Sequence, residues 1–470
     1  MKTQAYDLVI IGCGPAGEKA AAQAAYFGKR VAVIERAPHP GGAAVHTGTL
    51  PSKTLRETAL YLSGHRARQL YGIAVELEEN ATLSHLMARK DAIAEAETAR
   101  IIANLERHGV DLVYGHGSFV DAHTIQVEGA DGETVSLTAD FILIATGSKP
   151  RQPDDIDFAD DCIHDSDEVL LIEQLPQQLT ILGGGVIGCE YACMFAALGI
   201  DVTLVDTRTT LLSFLDTEIS ERLAKAMMRL GIDLVLGHRW GAIHRQGDTI
   251  VCELDDGRNL EAEQLLFCAG RVGCTDSLAL DNAGLSPNKR QYLDVDDEYR
   301  TSVPHILAVG DVIGFPALAS VSMEQARVAV CRAFGFDYKQ TLASLMPYGI
   351  YTIPEVSAVG ESEQSCEEKG IDYVVGRALY RDNARGKITG DLEGITKLVV
   401  EVGTRKLLGV HVVGERASEL VHIGQVAIQL GACVDLFIDM VFNYPTLADS
   451  YKYAAYDCLG ALAAREGEAK

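Results

Sequence analysis

The chain has 470 residues, of which 47% are hydrophobic and 23% charged, the balance of a folded globular protein with about three domains. Its formal net charge at pH 7 is −25, so its surface repels phosphate backbones and anionic lipid, and neither nucleic acid nor a membrane surface is an expected partner. No apolar run reaches the length of a membrane helix, and a strand rather than a secretory leader stands at the start, so we expect a cytoplasmic protein.

The first predicted unit is a strand, a glycine-rich turn, a helix and a second strand. It begins with YDLVIIG and ends at Glu35. The turn GCGPAG has the G-x-G-x-x-G spacing at Gly12, Gly14 and Gly17, which lets a pyrophosphate approach the N-terminus of the helix. A carboxylate about 20 residues further on is placed to bind the two hydroxyls of a ribose. Strand, helix and acid agree, so this unit predicts a dinucleotide site.

The same arrangement recurs in the middle of the chain. The stretch LTILGGGVIGCEYACMFAALGIDVTLVD has Gly183, Gly185 and Gly188 in the turn and ends its second strand at Asp206. Two complete copies predict that two dinucleotides bind to one chain.

Three further segments complete the predicted order of elements. ADFILIATGSKP predicts a buried strand followed by Thr146 and Gly147, which connect the first nucleotide domain to the second. TSVPHILAVGDV predicts an apolar strand ending at Gly310 and Asp311, where an acid is placed to bind a cofactor hydroxyl. From about Tyr348 onward the pattern predicts an α+β domain without a nucleotide fingerprint, for which docking or dimerisation is the expected role.

With these motifs the chain resembles the flavin-dependent pyridine nucleotide–disulfide oxidoreductases over nearly its full length. The resemblance implies an FAD site at the first fingerprint, at Ala145–Gly147 and at Gly310–Asp311, and an NAD(P) site at the second fingerprint. The implied fold class is α/β, with two Rossmann-like dinucleotide-binding domains, for FAD and NAD(P), and a C-terminal α+β dimerisation domain. The expected domains are 1–148 (FAD, first segment), 149–270 (NAD(P)), 271–345 (FAD, second segment) and 346–470 (dimerisation).

Within the family, five segments resemble the soluble pyridine nucleotide transhydrogenase subgroup. They are HTGTLPSK, LLSFLDTE, TDSLAL, GERASELVHIGQ and FNYPTLADSY.

The segment GGAAVHTGTLPSK, Gly41 to Lys53, departs from the disulfide reductases of the family. Those enzymes have two cysteines where this chain has Ala44 and Thr49, and a histidine before the Pro-Thr of the tail where this chain has Tyr444. Disulfide exchange needs a thiolate and a resolving thiol, and alanine and threonine supply neither. Electrons that enter the flavin are therefore expected to leave from it, either to another nicotinamide at the same site or to oxygen, a quinone or a dye at the opposite face.

The resemblance also implies the catalytic residues Lys53, Glu190, Tyr444, His46 and Thr49. Lys53 and Glu190 are expected to pair beside the reactive edge of the flavin, where a cation favours its reduced, anionic form. Tyr444 of the partner subunit is expected to cover the disulfide-free face. His46 is expected on that face too, either as a donor of a hydrogen bond or proton or with only a structural hydrogen bond.

The predicted cofactor-binding residues combine turn glycines, strand-end acids and their neighbours. They are Gly12, Gly14, Gly17, Glu35, Arg36, Gly42, Gly48, Thr49, Lys53, Gly117, Thr146, Gly147, Gly183, Gly185, Val186, Gly188, Glu190, Asp206, Arg208, Gly270, Gly310, Asp311 and Ala319. Pro51 is expected to open a helix beneath the flavin, with Lys53 one turn in.

The second strand-end acid bears on nucleotide choice. A carboxylate at Asp206 binds the two free hydroxyls of NAD and repels a 2′-phosphate. Arg208 is the only cation in the loop LVDTRTTLL. The predicted cofactors are therefore FAD and NAD(H), with NADP(H) left open through Arg208.

The cysteines predict neither a metal site nor a disulfide framework, because the eleven of them include no Cys-x-x-Cys pair. Cys189 and Cys193 lie one helical turn apart, a spacing poorly suited to a disulfide, so core packing is expected. Cys13 is expected to fit the FAD turn as a small side chain. Cys458 is close enough to the C-terminus to reach the flavin of a partner subunit.

The leading functional hypothesis is a homodimeric FAD enzyme that transfers hydride between nicotinamide nucleotides without a redox-active disulfide. An NADH oxidase or NADH:acceptor oxidoreductase for a quinone or dye is the alternative, and Asp206 favours it. A third hypothesis, a catalytically idle flavoprotein that senses nucleotide redox state, is disfavoured by the retention of Lys53, Glu190 and both fingerprints.

Overall fold

The computed structural model describes residues 3–64 and 79–468. Residues 65–78 of the expected first FAD segment, and the termini, lie outside the described residues. Within the described ranges, no helix has both the length and the apolar character required to cross a membrane.

The helices alternate with strands over most of the chain. They are α1 Pro15–Tyr26, α2 Gly42–His46, α3 Thr49–Leu62, α4 Glu79–Arg107, α5 Val186–Ala197, α6 Thr217–Arg229, α7 Ala319–Phe334, α8 Glu363–Lys369, α9 Ala384–Thr389, α10 Ala417–Gln429, α11 Asp435–Asp439 and α12 Ser450–Glu468. Short 3-10 helices span Glu168–Leu171, Leu280–Ala283, Gly310–Ile313 and Tyr380–Asp382.

The strands fall into five sheets. They are β1 Thr3–Ile11, β2 Val31–Glu35, β3 Asp111–Tyr114, β4 His116–Asp121, β5 Thr124–Glu128, β6 Thr134–Ile144, β7 Ser148–Pro150, β8 Ile163–Asp165, β9 Gln178–Leu182, β10 Asp201–Asp206, β11 Asp233–Leu236, β12 Trp240–Gln246, β13 Thr249–Leu254, β14 Asn259–Ala262, β15 Gln264–Phe267, β16 Arg271–Gly273, β17 Ile306–Ala308, β18 Tyr348–Ile350, β19 Val356–Gly360, β20 Tyr373–Leu379, β21 Ile395–Glu401 and β22 Leu407–Val413.

The first sheet has the strand order β3-β2-β1-β6-β5-β4, and β17 also pairs with β6. Its central pairs are parallel, with Leu8 of β1 opposite both Val31 and Phe141. Every residue of β2 is buried, since α1 and α7 cover one face and residues of β4 and β5 pack on the other. A parallel strand covered on both faces needs a continuous apolar run, which explains VAVI in this strand. The predicted late strand shortens to β17, because the chain turns at Gly310, where φ is +76°.

The second sheet is the parallel set β11-β10-β9-β15-β8, flanked by the antiparallel strands β12, β13 and β14. Its turn between β9 and α5 repeats the turn between β1 and α1. The antiparallel pair β7 and β16 connects the two units, with Val272 opposite Lys149. The expected domain boundary after residue 148 therefore falls inside β7.

The C-terminal part is the mixed region predicted from the tail. Its antiparallel sheet has the order β18-β19-β22-β21-β20 and packs against α10 and α12. Together with the two parallel sheets, this arrangement confirms the predicted fold class: two α/β units of Rossmann type and a C-terminal α+β unit.

A buried ion cluster joins the second unit to the C-terminal sheet. Lys397 of β21 has no exposed side-chain surface, and its Nζ lies 2.6 Å from Asp216 Oδ1 and 3.2 Å from Glu218 Oε2. Glu363, at the start of α8, is a third carboxylate in contact with the same ammonium group. Burial alone would raise the pKa of Asp216, but the hydrogen bond from Lys397 and the nearby His411 outweigh it, so this pKa lies below its usual value.

Candidate active site

A cavity of about 1270 Å³ lies where the two parallel sheets and the C-terminal sheet meet. Most of the predicted cofactor-binding residues line it. They are Gly12, Gly14, Glu35, Arg36, Gly42, Gly48, Thr49, Lys53, Gly117, Thr146, Gly147, Gly185, Val186, Glu190, Gly270, Gly310, Asp311 and Ala319. The structure thus brings together residues that are far apart in the sequence.

Two of the predicted turn glycines face the protein instead of the cavity. A Cβ atom on Gly17 would lie 1.9 Å from the carbonyl oxygen of Gly12, and one on Gly188 would lie 1.9 Å from that of Gly183. Gly17 and Gly188 therefore allow each helix to pack tightly against its own turn, the packing role of the third glycine in this spacing. Gly183 does not line the cavity either; its φ is +113°, and a Cβ atom there would lie 2.9 Å from the carbonyl carbon of Cys268.

The first glycine turn leaves space and hydrogen-bond donors for a pyrophosphate. Gly12 has a φ of +101°, and a Cβ there would lie 2.5 Å from Ala145 O, so only glycine fits. At Gly14 the nearest atom to a Cβ would be Gly42 Cα at 3.8 Å, and Gly14 caps α1 without any side-chain hydrogen bond. The first amides of α1 are thus available to an anion, with the helix dipole in its favour.

Glu35 has acceptor capacity to spare for a ribose. Its Oε2 accepts a hydrogen bond from Cys13 N at 2.9 Å, and its Oε1 accepts one from Ala37 N at 2.8 Å. A carboxylate has about four lone-pair positions, so the two oxygens can also accept from a ribose diol. Thr146 Oγ1 is buried beside this cavity without a hydrogen-bond partner among the described residues. The turn, the acid and this hydroxyl fit a dinucleotide such as FAD.

Asp311 belongs to a polar chain that the sequence did not indicate. Its Oδ2 accepts a hydrogen bond from Ser148 Oγ at 3.0 Å, and Ser148 Oγ in turn accepts one from Arg271 Nε at 2.8 Å. Ser148 and Arg271 line the cavity too and lie on the paired strands β7 and β16, where Arg271 is opposite Pro150 and Ser148 is opposite Gly273. Their pairing is formed by segments more than a hundred residues apart, so no local pattern pointed to them.

The predicted pair of Lys53 and Glu190 is formed. Lys53 Nζ lies 2.6 Å from Glu190 Oε2, and each of the two residues is the fifth of its helix, α3 or α5. The other carboxylate oxygen accepts a hydrogen bond from Tyr351 N at 2.9 Å, and Lys53 Nζ lies 5.1 Å from the centre of the Tyr351 ring. Tyr351 follows β18 in the C-terminal region, and sequence analysis missed it because no motif surrounds it.

The segment below the expected flavin position forms two short helical pieces. The second, α3, begins at Thr49, so the prediction that Pro51 opens the helix was wrong. Proline is tolerated at its third position because the amides of the first turn have no partner within the helix. Ala44 and Thr49 line the cavity, and His46 Nε2 forms a hydrogen bond to Pro40 O at 3.1 Å, the structural one of its two predicted roles.

The cysteines form no disulfide pairs, and seven of the eleven are buried. All eleven lie in the described residues, and none of them forms a disulfide. Cys189 and Cys193 belong to one apolar core, as predicted, and burial raises the pKa of Cys193 to about 12. Cys13 is buried in the first turn. The prediction that Cys458 can reach a partner's flavin was wrong, because the side chain is fully buried between α12 and the C-terminal sheet.

Asp206 differs from Glu35 in how its oxygens are used. Each oxygen accepts two hydrogen bonds: Oδ1 from Arg208 N at 2.7 Å and Arg208 Nε at 2.9 Å, Oδ2 from Gly184 N and from Arg208 Nη2 at 2.8 Å. Burial alone would raise the pKa of Asp206, but the hydrogen bonds from Arg208 outweigh it, so this pKa lies below its usual value. Neither residue lines the cavity.

Asp167 is an unpredicted carboxyl group in the cavity wall. Its Oδ1 is buried without a hydrogen-bond partner among the described residues, and Arg271 Nη1 lies 3.9 Å away. Burial raises the pKa of Asp167 to about 6, against the opposing effect of Arg271. Tyr444, by contrast, is 76% exposed and lies outside the cavity of its own subunit, so its predicted role on a partner subunit stays a prediction.

The fold and the shared cavity define an α/β protein with two dinucleotide-binding units, and similarity to known proteins identifies its family. Residues 6–330 match the family model of the pyridine nucleotide-disulphide oxidoreductases, and residues 346–455 match the dimerisation domain of that family. The chain therefore belongs to the pyridine nucleotide-disulphide oxidoreductases and is an FAD-dependent pyridine nucleotide oxidoreductase. The predicted family and enzyme class are confirmed.

Similar proteins cover almost the whole chain. The soluble pyridine nucleotide transhydrogenase of Mycobacterium bovis (strain BCG / Pasteur 1173P2) is 45% identical over 98% of both chains. That of Colwellia psychrerythraea is 40% identical over 97% of this chain and 98% of its own. Among solved structures, LpdA from Mycobacterium tuberculosis has a TM-score of 0.87 at 30% identity, over 97% of this chain and 99% of its own. The Cu(II) complex of the HOCl-induced flavoprotein disulfide reductase RclA from Escherichia coli has a TM-score of 0.86 at 26% identity, over 96% and 99%.

Proposed function

We propose that this chain transfers hydride from one nicotinamide nucleotide to another, with FAD as its bound cofactor and without a redox-active disulfide. One observation carries the proposal: Ala44 and Thr49 line the same cavity as an intact pair of Lys53 and Glu190. The pair expected to act beside the nicotinamide, Lys53 and Glu190, is retained. The two positions at which disulfide reductases of the family have cysteines hold alanine and threonine. Relatives named soluble pyridine nucleotide transhydrogenase, 38–45% identical, support the same reading.

Bound FAD supplies reversible hydride chemistry, and the residues of this chain hold and tune it. Glu35 would bind the ribose, the amides at Gly14 the pyrophosphate, and Asp311 with Thr146 further hydroxyls of the cofactor. These assignments rest on the free acceptors of Glu35 and on the unpartnered hydroxyl of Thr146.

Lys53 provides the positive charge of the site. Its side chain is 26% exposed and that of Glu190 is 8% exposed, so the pair lies largely out of water. A fixed cation in such a place stabilises negative charge that develops during hydride transfer more strongly than a solvated cation does. Glu190 keeps the ammonium group in one position at the start of α5. Thr49, one turn before Lys53, supplies no thiolate, so the disulfide step has no nucleophile.

The C-terminal region supports a homodimer. It matches a dimerisation domain and contains many of the large apolar side chains exposed in the single chain. Examples are Val426 at 58%, Leu430 at 76%, Val441 at 94%, Tyr444 at 76% and Tyr453 at 56%. A patch of this kind is typical of a subunit interface. In the proposed dimer, Tyr444 of the partner subunit covers the disulfide-free face beside His46.

The nucleotide preference follows from Asp206 and Arg208. Because Arg208 already fills the spare acceptor positions of Asp206, a ribose diol must displace the guanidinium group to bind there. The displaced guanidinium group is then free to pair with a 2′-phosphate, which Arg binds in a bidentate manner. Because the Asp206 carboxylate itself repels a 2′-phosphate, we propose NADH as the preferred nucleotide and NADP(H), bound through Arg208, as the second one.

Initial-rate kinetics test the proposal. With NADPH as donor and thio-NAD⁺ as acceptor, a hydride shuttle in which the two nucleotides use one site in turn gives parallel double-reciprocal lines, unchanged when oxygen is removed. A rate that needs oxygen or an added quinone, and that does not depend on thio-NAD⁺, would contradict it.

The second candidate function is an NADH oxidase or NADH:acceptor oxidoreductase. Asp206 favours it, because a buried carboxylate at this position repels a 2′-phosphate, and this repulsion increases if Arg208 moves away from the carboxylate. This candidate predicts that NADPH neither binds nor reduces the flavin, whereas NADH does both.

A further inference from the structure

Tyr351 contacts both members of the pair of Lys53 and Glu190. Its backbone N–H donates to Glu190 Oε1 at 2.9 Å, and the face of its ring lies 5.1 Å from Lys53 Nζ. The three residues come from three separate parts of the chain: Lys53 from α3, Glu190 from α5, and Tyr351 from the end of β18.

The Tyr351 ring is itself held in place from the C-terminal side. Burial raises the pKa of the Tyr351 hydroxyl, and the influence of Ser418, at the start of α10, opposes that rise. Ser418 Oγ donates to Glu355 Oε2 at 2.9 Å, and Glu355 Oε1 lies 3.5 Å from Arg56 Nη1. Arg56 lies on α3, three residues after Lys53, and its Nε donates to Thr352 O at 3.0 Å. These contacts connect the region of Tyr351 back to α3, the helix that carries Lys53.

We propose that Tyr351 is a positioning residue for the reaction. Its amide holds Glu190, and its ring holds Lys53, so that the two side chains stay paired at the cavity wall. A lysine side chain loses much rotamer entropy when it is fixed, so a carboxylate on one side alone leaves its ammonium group mobile. The aromatic face supplies a second, directional contact, worth most where water is excluded. The proposal rests on the proposed function only in that Lys53 acts on the bound cofactor.

This arrangement makes the reacting pair depend on the C-terminal region. The Lys53–Glu190 pair lies in the segment matched by the oxidoreductase model, residues 6–330, whereas Tyr351 lies in the segment matched by the dimerisation model, residues 346–455. The correct position of Lys53 therefore requires the C-terminal sheet to be docked. The C-terminal region thereby has a part in the chemistry of its own subunit, in addition to its part in dimerisation.

Two substitutions distinguish the effect of the Tyr351 ring from the effect of its hydroxyl group. Tyr351→Phe keeps the aromatic face and the amide, and Tyr351→Leu keeps only the amide. Each is made in the FAD-loaded wild-type enzyme and in the Lys53→Met background, and the anaerobic rate of flavin reduction by NADH is followed by stopped-flow absorbance. Tyr351→Met, whose flexible side chain fills the gap, replaces Tyr351→Leu if the latter loses FAD.

We expect Tyr351→Leu to slow flavin reduction by about tenfold, with the NADH dissociation constant changed by less than about twofold and Tyr351→Phe close to wild type. In the Lys53→Met background the same substitution should change the rate by less than about twofold, because the group that it positions is gone. The flavin midpoint potential should also shift in the same direction in Tyr351→Leu as in Lys53→Met.

Equal slowing in both backgrounds, or an unchanged potential in Tyr351→Leu, would overturn the positioning role. Since only reduction by NADH is measured, these results do not depend on the acceptor. If NADP⁺ fails to reoxidise the enzyme, the transhydrogenase proposal fails while the test of Tyr351 still gives its answer.

Discussion

At the scale of single residues, the two nucleotide turns can be compared position by position. Cys13 and Gly184 both donate their amide to the strand-end acid, and so do Ala37 and Arg208. The difference is the Arg208 side chain, which adds two hydrogen bonds where alanine adds none. If a nucleotide ribose binds at Asp206, as we propose, the Arg208 side chain therefore competes with it.

The Arg208→Ala variant tests this competition. Removing the guanidinium group frees acceptor positions on Asp206, so NADH should bind about three- to tenfold more tightly, the equivalent of one charge-assisted hydrogen bond partly offset by rehydration. NADPH should bind at least about tenfold more weakly, because its 2′-phosphate then meets only a carboxylate. Anaerobic titration of the flavin spectrum with each nucleotide measures both constants.

A matched control for Arg208→Ala is Arg258→Ala in the same unit. Arg258 also pairs with the acid two residues before it, Asp256, at 2.7 Å, but in the exposed turn between β13 and β14. It should leave both constants unchanged. Equal affinities for NADH in wild type and Arg208→Ala would show that the guanidinium group does not compete with the ribose.

At the scale of elements, the turn between β9 and α5 depends on close contact between backbone atoms. Gly188→Ala places a methyl group 1.9 Å from Gly183 O, so the helix must move away from the turn. We expect reduction by NADH to be lost, while FAD remains bound and dithionite still reduces it, because the first turn is untouched. The FAD content and the visible spectrum after each reductant measure this.

The control for this prediction is Gly460→Ala on α12. Among the described residues, no atom beyond its chain neighbours and its own helix backbone lies within 4 Å of a Cβ at Gly460, so the substitution should leave NADH reduction intact and, as a helix-interior change, stabilise slightly. A Gly188→Ala enzyme that NADH reduces at the wild-type rate would mean that the turn tolerates displacement.

Some elements of the fold and the site could be predicted from the sequence, and others could not. The turns at Gly12 and Gly183 and the acids that follow them are local patterns with a fixed spacing, so they could be read from the chain alone. The pair of Lys53 and Glu190 was accessible only through resemblance. Ser148, Arg271 and Tyr351 could not be predicted, because their contacts form between strands and regions that are far apart in the sequence. No motif in the neighbouring residues indicates these contacts. The start of α3 at Thr49 was missed because proline preference alone does not fix a helix start.

At the scale of the whole molecule, the ion cluster around Lys397 connects the second unit to the C-terminal sheet. Lys397→Met removes the buried cation that Asp216, Glu218 and Glu363 share. Glu218 and Glu363 keep their contacts with Arg377, but Asp216 loses its ion pair, and breaking a buried pair in this way costs about 3–5 kcal/mol of unfolding free energy. Chemical denaturation of the FAD-loaded enzyme at pH 7 should show this loss. An exposed pair broken by Lys225→Met should change the free energy by less than about 1 kcal/mol.

The loss in Lys397→Met should depend on pH. The folded-state pKa of Asp216 lies below its value in the unfolded chain, so the contribution of this group is fully present above about pH 4 and is lost as the pH falls through the folded pKa. The difference in unfolding free energy between wild type and variant should therefore shrink below about pH 4. A constant difference from pH 7 to pH 3 would rule out Asp216 as the ionised partner.

The assembly prediction concerns Val441, which is 94% exposed in the single chain. If it lies in the subunit interface, Val441→Asp buries a charge on association and should convert the dimer to monomers in sedimentation velocity. Val120→Asp, at a 48% exposed position of β4, is the control and should leave the dimer intact. A dimer that persists in Val441→Asp would place the interface elsewhere.

In the proposed reaction, electrons pass between nicotinamide nucleotides through the flavin without a thiol, and an anaerobic flavin titration measures this transfer. NADH and NADPH are added in separate experiments while the visible flavin band is followed, and the reduced enzyme is then mixed with NADP⁺, NAD⁺ or air. We expect both nucleotides to bleach the flavin and the opposite oxidised nucleotide to restore it under nitrogen. Bleaching by NADH alone, with recovery only in air or with a quinone, would instead make this chain an NADH oxidase or diaphorase.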